Sequence, residues 1–361
     1  MSASINVLIA DDSAVIRRMV GEALSNTPGV NVIAVARNGR QAVELKEAKH
    51  PDVVLLDIEM PEMDGITALR EIRKTDRRTP VIMFSSLTAR GAEATLEALS
   101  KGASDYVTKP VCSGSIQDSI KYVREQLVPV VLHWGRRFSE QRPKLVPASP
   151  PVTIPEVPRS ARTPEIIAIG SSTGGPNALA DVLSQLPGDL RVPIVIVQHM
   201  PPLFTKLLAE RLDRSCPLTV REGTDRTPIR PGEVWIAPGD FHMTVAVRDG
   251  ISRLELNQGS KENSCRPAVD VLFRSVAEQF GGRSLGVVLT GMGKDGAEGC
   301  RLLKSKGAPI IVQDEATCVV WGMPRAVQEA GLADSVLPLP EIPAAISRLT
   351  QRNRLPALAE R

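Results

Sequence analysis

The sequence predicts an α/β fold with two doubly wound parallel-sheet domains joined by a proline-rich linker. Three observations predict it: short apolar runs alternate with helical periodicity, this alternation occurs twice along the 361 residues, and a proline-rich stretch separates the two sets. Continuous apolar strands separated by helices are typical of parallel sheets covered on both faces. Ligands of such sheets bind outside the carboxyl ends of the strands.

The first set of runs occupies residues 1–126. Between its first two runs, Val15, Met19 and Leu24 recur on one face at helical spacing. The apolar runs begin at Ile5, Val30, Val53, Pro80 and Ser104. This pattern predicts a flavodoxin-like domain.

Residues 127–162 form the predicted linker. Seven prolines fall between residues 129 and 162, including the pair Pro150-Pro151, and such a density disfavours a helix or a central strand. The same stretch holds six basic and only two acidic residues, so it carries the basic excess behind the net charge of +3.

The second set of runs predicts a Rossmann-like domain over residues 163–352, followed by a C-terminal tail at 353–361. Its apolar runs begin at Glu165, Pro193, Glu233, Leu285 and Pro309. The two halves share the alternation of strands and helices but no further internal repeat.

Composition excludes several classes of function. The chain is 42% hydrophobic and 24% charged, as expected of a soluble globular protein, and only 3% aromatic, which argues against a nucleic-acid binder that stacks bases. No apolar run approaches the roughly 18 residues of a membrane span, and the N-terminus has no basic region of a signal peptide. We therefore expect a cytoplasmic protein without nucleic-acid partners or direct membrane insertion.

The cysteines show no CxxC pairing. They are Cys112, Cys216, Cys265, Cys300 and Cys318. An odd number of scattered cysteines favours free thiols in a reducing compartment. Zinc ligation is disfavoured because metal sites need clustered ligands.

Acidic residues stand at the ends of two strands in the first domain. Asp11 and Asp12 follow the first run, and Asp57 ends the third. Three converging carboxylates would raise one another's pKa values unless a cation compensates them, and Mg²⁺ suits carboxylate and phosphate oxygens. The alternative is that Asp11 and Asp12 only cap the helix that begins near Ala14.

Ser85 and Lys109 end the fourth and fifth runs, and they would add a hydroxyl and a cation at the same edge. Two acids for a metal, one acid to accept phosphate, and a lysine with a serine to hold the product predict a phosphoryl-transfer site.

Residues 5–126 resemble the receiver domain of response regulators through ADDS, LLDIEMPEMDG, MFSSLT and YVTKP. The resemblance implies phosphorylation of Asp57 by a partner histidine kinase. It also implies Mg²⁺ at Asp11, Asp12, Asp57 and the Glu59 carbonyl.

The same resemblance assigns three further features. It makes Tyr106 the aromatic switch residue, and Ser85 the hydroxyl that follows the phosphoryl group. It also implies a cis peptide bond between Lys109 and Pro110.

A strand–turn–helix pattern opens the second domain. The run EIIAIG leads into Ser171, Ser172 and Thr173, and Gly170-x-Ser172-x-Gly174 matches the pattern that exposes a nucleophilic serine on a sharp turn. The following helix would place amide N–H groups where an oxyanion could bind. The alternatives are a turn of small residues that has no catalytic role, and a turn whose backbone amides bind phosphate.

The chain has four histidines. His50 lies in a polar loop of the first domain and His133 in the predicted linker. His199 directly follows the run PIVIVQ and so lies at the same sheet edge as Ser172. His242 precedes an alternating pattern and is more easily a structural or rim residue.

The stretch LTGMGKDGAEG contains Gly291-x-Gly293-x-x-Gly296 after an apolar run, which matches a dinucleotide-binding fingerprint. Asp295 within this loop argues against that cofactor, because its carboxylate would repel a phosphate from the amides that bind one. Asp295 could instead orient an imidazole. Asp240 and Asp270 are rival acids, and Asp270 lies in a helix-like stretch that favours a packing or surface role.

Residues 165–330 resemble the catalytic domain of chemotaxis-type protein-glutamate methylesterases through GSSTGGP, VQHMPPLFT, LTGMGKDGAEG and WGMPRAV. The resemblance implies hydrolysis of glutamyl methyl esters on chemoreceptor cytoplasmic domains, release of methanol, and deamidation of glutamines. It makes Ser172 the nucleophile, His199 the base and Asp295 the orienting acid. The backbone N–H groups of Met292 and Thr173 would face the oxyanion. No cofactor is implied for ester hydrolysis.

The sequence departs from this family at two positions. Ser171 replaces a small apolar residue, so two adjacent hydroxyls compete for the role of nucleophile. Cys265 stands where the family often has histidine, and the neighbouring Arg266 is a candidate substrate contact.

The resemblance further implies a chemotaxis histidine kinase as phosphodonor. We expect the unphosphorylated receiver to cover the catalytic cleft, and phosphorylation of Asp57 to shift the population toward an open, active arrangement. Two alternatives stay open. One is a phosphorylation-dependent binding protein with an inactive hydrolase-like site. The other is a receiver-controlled esterase or amidase that acts on another target.

Overall fold

The computed structural model describes residues 4–110, 116–140 and 163–350. The chain forms two compact units, Met1–Pro151 and Val152–Arg361. Both contain a parallel sheet with helices interleaved between the strands, so the predicted fold class is confirmed. Residues 141–162 of the predicted linker, the predicted end of the second domain at 352 and the tail at 353–361 lie outside the described residues.

The first unit has a five-stranded parallel sheet in the order β2-β1-β3-β4-β5. The strands are β1 (Ile5–Ala10), β2 (Val30–Ala36), β3 (Val53–Asp57), β4 (Val81–Ser85) and β5 (Asp105–Thr108). Ala10 pairs with Leu56, and Ser85 pairs with Thr108. This register brings the residues that follow β1, β3 and β5 to one edge of the sheet.

Five helices cover this sheet: α1 (Ala14–Ser25), α2 (Gly39–Lys49), α3 (Gly65–Thr75), α4 (Ala89–Ser100) and α5 (Ile116–Glu140). The side chain of Ser13 caps α1 by accepting a hydrogen bond from the Ile16 amide at 3.4 Å. Asp11 and Asp12 therefore do not serve as the cap, and the capping alternative for them is removed.

Helix α5 extends beyond the predicted end of the first domain. It continues through Pro129, and Val130 and Val131 are buried in the core of the first unit. Proline lacks an amide hydrogen and costs helix stability, but the burial of two valines on the sheet offsets that cost. Residues 127–140 thus belong to the first unit rather than to the predicted linker.

The second unit has a seven-stranded parallel sheet in the order β14-β13-β12-β6-β7-β9-β8, and β10 pairs with β11 as a separate antiparallel ribbon. The strands are β6 (Ile166–Ser171), β7 (Ile194–Gln198), β8 (Thr219–Glu222), β9 (Glu233–Ile236), β10 (His242–Arg248), β11 (Ile251–Asn257), β12 (Ser284–Val288), β13 (Ile310–Gln313) and β14 (Ser335–Leu337). The edge strands β8 and β14 were not predicted, because both are short and neither forms a long apolar run.

The helices of this unit are α6 (Gly175–Ser184), α7 (Phe204–Ser215), α8 (Val269–Phe280), α9 (Ala297–Ser305), α10 (Met323–Glu329) and α11 (Ile342–Thr350), with short 3₁₀ turns at Gly281–Arg283 and Leu339–Glu341. Strand β7, which follows β6 in the chain, lies on one side of β6, and the later strand β12 lies on its other side. The carboxyl ends of β6 and β12 therefore flank the point where strand order reverses, which is where open α/β sheets bind ligands.

Across the described parts of the chain, no helix combines the length and apolar character that a membrane crossing requires.

Candidate phosphoacceptor and hydrolase sites

The acidic residues of the first unit meet at one point. Asp11, Asp12 and Asp57 each place a carboxylate oxygen within 4.8 Å of the others, and Asp11 and Asp57 are buried. Lys109 Nζ lies 2.9 Å from Asp11 Oδ2 and 2.8 Å from Asp57 Oδ1. The structure thus brings together four of the residues predicted for phosphoryl transfer.

This cluster is short of positive charge. Burial, reinforced by the charge of Asp11, raises the pKa of Asp57 to about 6. Burial also raises the pKa of Asp11. Burial alone would lower the pKa of Lys109, but its hydrogen bond to Asp57 and the charges of both carboxylates outweigh that effect and raise it. One ammonium group faces two buried carboxylates, so a further cation would be stabilised here.

The oxygens present fit a hard divalent cation. Asp57 Oδ2 is buried and has no hydrogen-bond partner among the described residues, and carboxylate oxygens are the ligands that Mg²⁺ prefers. The Glu59 backbone amide hydrogen-bonds to the Asp57 carboxylate, while the Glu59 side chain is exposed.

The side chains of the predicted switch residues make no hydrogen bond with the acidic cluster in the described part of the chain. Ser85 is buried, and its hydroxyl donates to the Gly91 carbonyl at 3.0 Å and accepts from Thr95 Oγ1 at 2.7 Å. Ser85 is thus tied to α4 rather than to Asp57. Tyr106 lies half-buried on β5, and burial raises the pKa of its phenol.

The expected cis peptide bond at Lys109–Pro110 is wrong. Among the described residues the one cis peptide bond is Arg266–Pro267. The Lys109–Pro110 bond therefore has the trans form, which is generally the more stable one even before proline.

In the second unit, a tight turn between β6 and α6 carries Ser172. Gly174 has φ of 77°, a left-handed conformation that glycine adopts without strain. A Cβ atom at Gly175 would come within 1.9 Å of Gln198 Oε1, so only glycine fits at the start of α6. The turn presents Ser172 partly exposed at the end of the strand.

The structure separates the two adjacent serines. Ser171 is fully buried, and its hydroxyl donates to Gln198 Oε1 at 2.7 Å. Gln198 Nε2 in turn donates to the Ser172 carbonyl at 2.8 Å and to the His199 carbonyl at 3.2 Å. Ser172 Oγ makes no hydrogen bond to a described residue. Ser171 and Gln198 therefore brace the turn, and Ser172 is the serine that a substrate can reach.

Sequence reasoning missed Gln198. The available signal was a single polar residue at the end of an otherwise apolar strand, and such a residue must find a hydrogen-bond partner when buried.

Asp295 accepts a dense set of hydrogen bonds. Its Oδ2 atom accepts from His199 Nε2 at 2.8 Å and Val269 N at 2.7 Å, and its Oδ1 atom accepts from Asn263 Nδ2, Asp270 N and Gly296 N, each at 3.0 Å. Two of these amides begin α8, where the helix dipole favours a negative charge. The carboxylate is therefore the anion that these amides bind, although only the Gly296 amide belongs to the Gly-rich loop itself.

These contacts keep Asp295 ionised. Burial alone would raise its pKa, but the hydrogen bond and charge of His199, together with the amides of Val269 and Asp270, outweigh burial and lower it. Burial would likewise lower the pKa of His199, but the hydrogen bond that it donates to Asp295 and its contact with Cys265 raise it to about 9. Asp295 therefore stabilises the imidazolium form of His199.

Ser172 and His199 are neighbours in the strand register. Ser171 pairs with Gln198 across β6 and β7, and the His199 amide donates to the Ser171 carbonyl at 3.0 Å, so Ser172 and His199 directly follow a pair of adjacent strand ends. The imidazole does not hydrogen-bond to the Ser172 hydroxyl. Its Nε2 atom meets Asp295, and its Nδ1 atom lies 3.6 Å from Cys265 Sγ.

The predicted oxyanion donors lie on both sides of Ser172. Neither the Thr173 nor the Met292 backbone N–H donates to another described residue. A Cβ atom at Gly291 would come within 2.9 Å of Ser172 Cβ, so the loop that carries Met292 approaches the serine closely. Both amides are therefore free to bind an oxygen.

The rival residues have other partners. Asp240 Oδ1 accepts from Arg266 Nη2 at 2.6 Å, and the Arg266 guanidinium also donates to the Gln258 and Gly259 carbonyls. These contacts hold the Arg266 guanidinium in place, and its contact with a substrate stays a prediction. His242 is buried, with Nε2 at 2.9 Å from the Ser260 carbonyl, as expected of a structural histidine.

Asp270 is buried beside the site rather than at the surface. It accepts hydrogen bonds from the Gly299 amide at 2.7 Å and from Asn263 Nδ2 at 2.9 Å. Burial and the nearby charge of Asp295 raise its pKa to about 6. Asn263 bridges the two acids, and sequence reasoning missed it because it lies in a loop without periodicity.

Comparison with known proteins gives matches over both units. The family model of the CheB methylesterase matches residues 167–346, and the model of the response regulator receiver domain matches residues 7–121. A protein-glutamate methylesterase/protein-glutamine glutaminase of Trichodesmium erythraeum (strain IMS101) is 48% identical over 350 residues, which cover 95% of this chain and 98% of that protein.

A second relative and a solved structure match the same family. The protein-glutamate methylesterase/protein-glutamine glutaminase of Nocardioides sp. (strain ATCC BAA-499 / JS614) is 49% identical over 355 residues, which cover 97% of this chain and 96% of that protein. The crystal structure of the Thermotoga maritima CheB methylesterase catalytic domain is 46% identical, with a TM-score of 0.51, and covers 52% of this chain and 100% of that one.

The ion pair between Asp295 and His199 predicts an unusual titration. We expect a pKa of about 9 for His199. NMR of the labelled histidines as a function of pH measures this pKa, and the signal that is lost in His199→Gln identifies the residue. Asp295→Asn removes the charge that opposes burial, so the pKa should fall to or below the ordinary histidine value of about 6.5. Asp240→Asn is the matched control, because Asp240 pairs with Arg266, and it should leave the titration unchanged. An unchanged titration in Asp295→Asn would contradict the assignment.

Proposed function

The chain belongs to the CheB methylesterase family, with a receiver domain before the catalytic domain, and we propose that it is a phosphorylation-activated protein-glutamate methylesterase. It hydrolyses glutamyl methyl esters on the cytoplasmic helices of chemoreceptors, releases methanol, and deamidates selected glutamines there. This activity serves adaptation in chemotaxis-type signalling in the cytoplasm. The observation that carries the proposal is the hydrogen bond from His199 to Asp295 at the sheet edge that also presents the partly exposed Ser172.

Acylation begins at Ser172. Its hydroxyl oxygen attacks the ester carbonyl carbon of the glutamyl side chain, and its proton passes to His199 Nδ1, because Nε2 is held by Asp295. The Cys265 thiol must give up its contact with Nδ1 for this transfer. The resulting oxyanion accepts hydrogen bonds from the Thr173 and Met292 amides, which donate to no other described residue.

Collapse of the oxyanion breaks the ester bond. The imidazolium returns the proton to the departing methoxide, and methanol leaves. Water then attacks the glutamyl–Ser172 ester, again giving a proton to His199, and glutamate is released as Ser172 regains its proton. With glutamine as substrate the same steps release ammonia. No cofactor takes part in either reaction.

Asp57 is the proposed phosphoacceptor, and a chemotaxis histidine kinase is the proposed donor. Asp11, Asp12, Asp57 and the Glu59 carbonyl would hold Mg²⁺, and the bound ion would neutralise charge on the phosphoryl oxygens. Lys109, already within 2.8 Å of Asp57, would hold a phosphoryl oxygen in place of the free carboxylate. Ser85 and Tyr106 would leave their present positions to follow the phosphoryl group.

We also propose that the unphosphorylated receiver restrains the esterase, and that phosphorylation shifts the population toward an active arrangement. Such a shift requires that the restrained and the active arrangement differ in their free energy of interaction with the phosphoryl group. The unbonded Asp57 oxygen and the Ser85 hydroxyl tied to α4 are the groups whose contacts would change.

Ser172→Ala should abolish methanol release from methyl-labelled receptors of the same cell, by about 10⁴-fold or more. Ser171→Ala is the matched control, one residue away. Because Ser171 only braces Gln198, its loss should cost roughly 1–3 kcal/mol of stability while activity stays within about tenfold of wild type. Equal activity in wild type and Ser172→Ala would contradict the mechanism. Absence of methanol release in wild type, with phosphodependent receptor binding retained, would favour the binding-protein alternative.

Phosphorylation should raise the methanol-release rate of the full chain. With Mg²⁺ and a small phosphodonor such as acetyl phosphate, wild type should accelerate, and Asp57→Asn should not respond. Glu59→Gln is the matched control, because its side chain is exposed and only its carbonyl is proposed as a ligand. A chain of residues 160–361 should be active without phosphodonor. Equal rates for that fragment and the unphosphorylated full chain would rule out restraint by the receiver.

A further inference from the structure

The hydrolase site contains a thiol that the proposed mechanism does not use. Cys265 Sγ lies 3.6 Å from His199 Nδ1, and Asp295 holds the other ring nitrogen. Each of these three residues places one potential ligand atom within 4.8 Å of the others. Cys265 is partly exposed, so solutes can reach the thiol.

The tautomer of His199 is set by Asp295. The carboxylate is buried, ionised and accepts five hydrogen bonds, so His199 keeps a proton on Nε2 in both of its protonation states. Nδ1 faces Cys265 and is the nitrogen that has a free lone pair when the ring is neutral. Histidines that bind metals have this arrangement, because they donate the second ring N–H to a carboxylate that orients the ring.

We propose that His199 Nδ1 and Cys265 Sγ form a reversible site for a thiophilic divalent cation such as Zn²⁺, and that the bound ion silences the esterase. Zinc binds imidazole nitrogen at about 2.0–2.1 Å and thiolate sulfur at about 2.3 Å, so a tetrahedral ion spans roughly 3.5 Å between the two ligands. The observed separation of 3.6 Å needs almost no rearrangement.

Metal binding and catalysis exclude each other at this site. The ion takes the Nδ1 lone pair that would accept the Ser172 proton. The thiol proton and the Nδ1 proton of the imidazolium are both released to solvent when the metal–sulfur and metal–nitrogen bonds form. Asp295 stays in place, because four further groups donate to its carboxylate. Two protein ligands leave the remaining positions to water, so binding is reversible. The silencing rests on the proposed function, whereas the binding does not.

The other described cysteines lack this setting. Cys300 and Cys318 are fully buried. Cys216 is partly exposed like Cys265, but its Sγ atom contacts the Leu218 carbonyl, and no metal-ligand cluster of the described residues includes it. Cys216 is therefore a matched control, and Cys112, which lies outside the described residues, needs a control of its own.

The site is tested by titrating the full chain with Co²⁺ in the presence of saturating Mg²⁺, which occupies carboxylate sites. Thiolate ligation gives a near-ultraviolet charge-transfer band. We expect the band in wild type, in Cys216→Ala and in Cys112→Ala. It should vanish in Cys265→Ala and in Cys265→Ser, which keeps the residue's size, and Co²⁺ affinity should fall roughly tenfold or more in His199→Gln.

A second measurement follows inhibition of methanol release by Zn²⁺, expressed relative to each variant's own metal-free rate. The apparent inhibition constant should rise about tenfold or more in Cys265→Ser and not in Cys216→Ala. A band that persists in both Cys265 variants, or no band in wild type at millimolar Co²⁺, overturns the proposal. A band without any methanol release leaves the metal site standing and refutes the esterase.

Discussion

The buried carboxylate of Asp295 is the constraint on which the rest of the catalytic unit depends. Its five hydrogen bonds join the loop after β12 to the start of α8 and to His199 at the end of β7. A buried charge without such partners would cost several kcal/mol, whereas hydrogen bonds to a charged group each contribute about 1.5–3 kcal/mol. The same contacts that make this charge tolerable also fix the orientation of the imidazole.

The order of the strands in the sheet determines where the serine turn lies relative to Asp295 and His199. Strand order places β6 between β12 and β7, so the serine turn lies between the loop that carries Asp295 and the residue after β7. Glycine at positions 175 and 291 permits the close approach of Gln198 and of the Met292 loop to that turn. In the receiver domain, the side chains at the sheet edge leave part of their negative charge uncompensated. There a single lysine faces two buried carboxylates, and the uncompensated charge is what a divalent cation would balance.

Features that depend on a local pattern of residues could be predicted from the sequence. Apolar runs located most strands of both sheets, and strand ends located Asp57, Lys109, Ser172 and His199. Features that depend on contacts between distant segments could not be found this way. Pro129 argued for a linker, but burial of the valines that follow it on the receiver sheet keeps α5 helical. Asn263 and Cys265 gain their contacts only when their loop reaches Asp295 after β12 and His199 after β7, and Asn263 of that loop also donates to Asp270.

The central claim is that the His199–Asp295 pair activates Ser172, although the group in contact with His199 Nδ1 in the structure is the Cys265 thiol. A fluorophosphonate tests this directly, because it phosphonylates an activated nucleophile with loss of fluoride and stops at the covalent adduct. Reaction of the full chain, followed by mass spectrometry of its peptides, should locate the adduct on Ser172, and Asp295→Asn should slow its formation. An adduct on Ser171 or Cys265, or labelling of Ser172 that is unaffected by Asp295→Asn, would contradict the account.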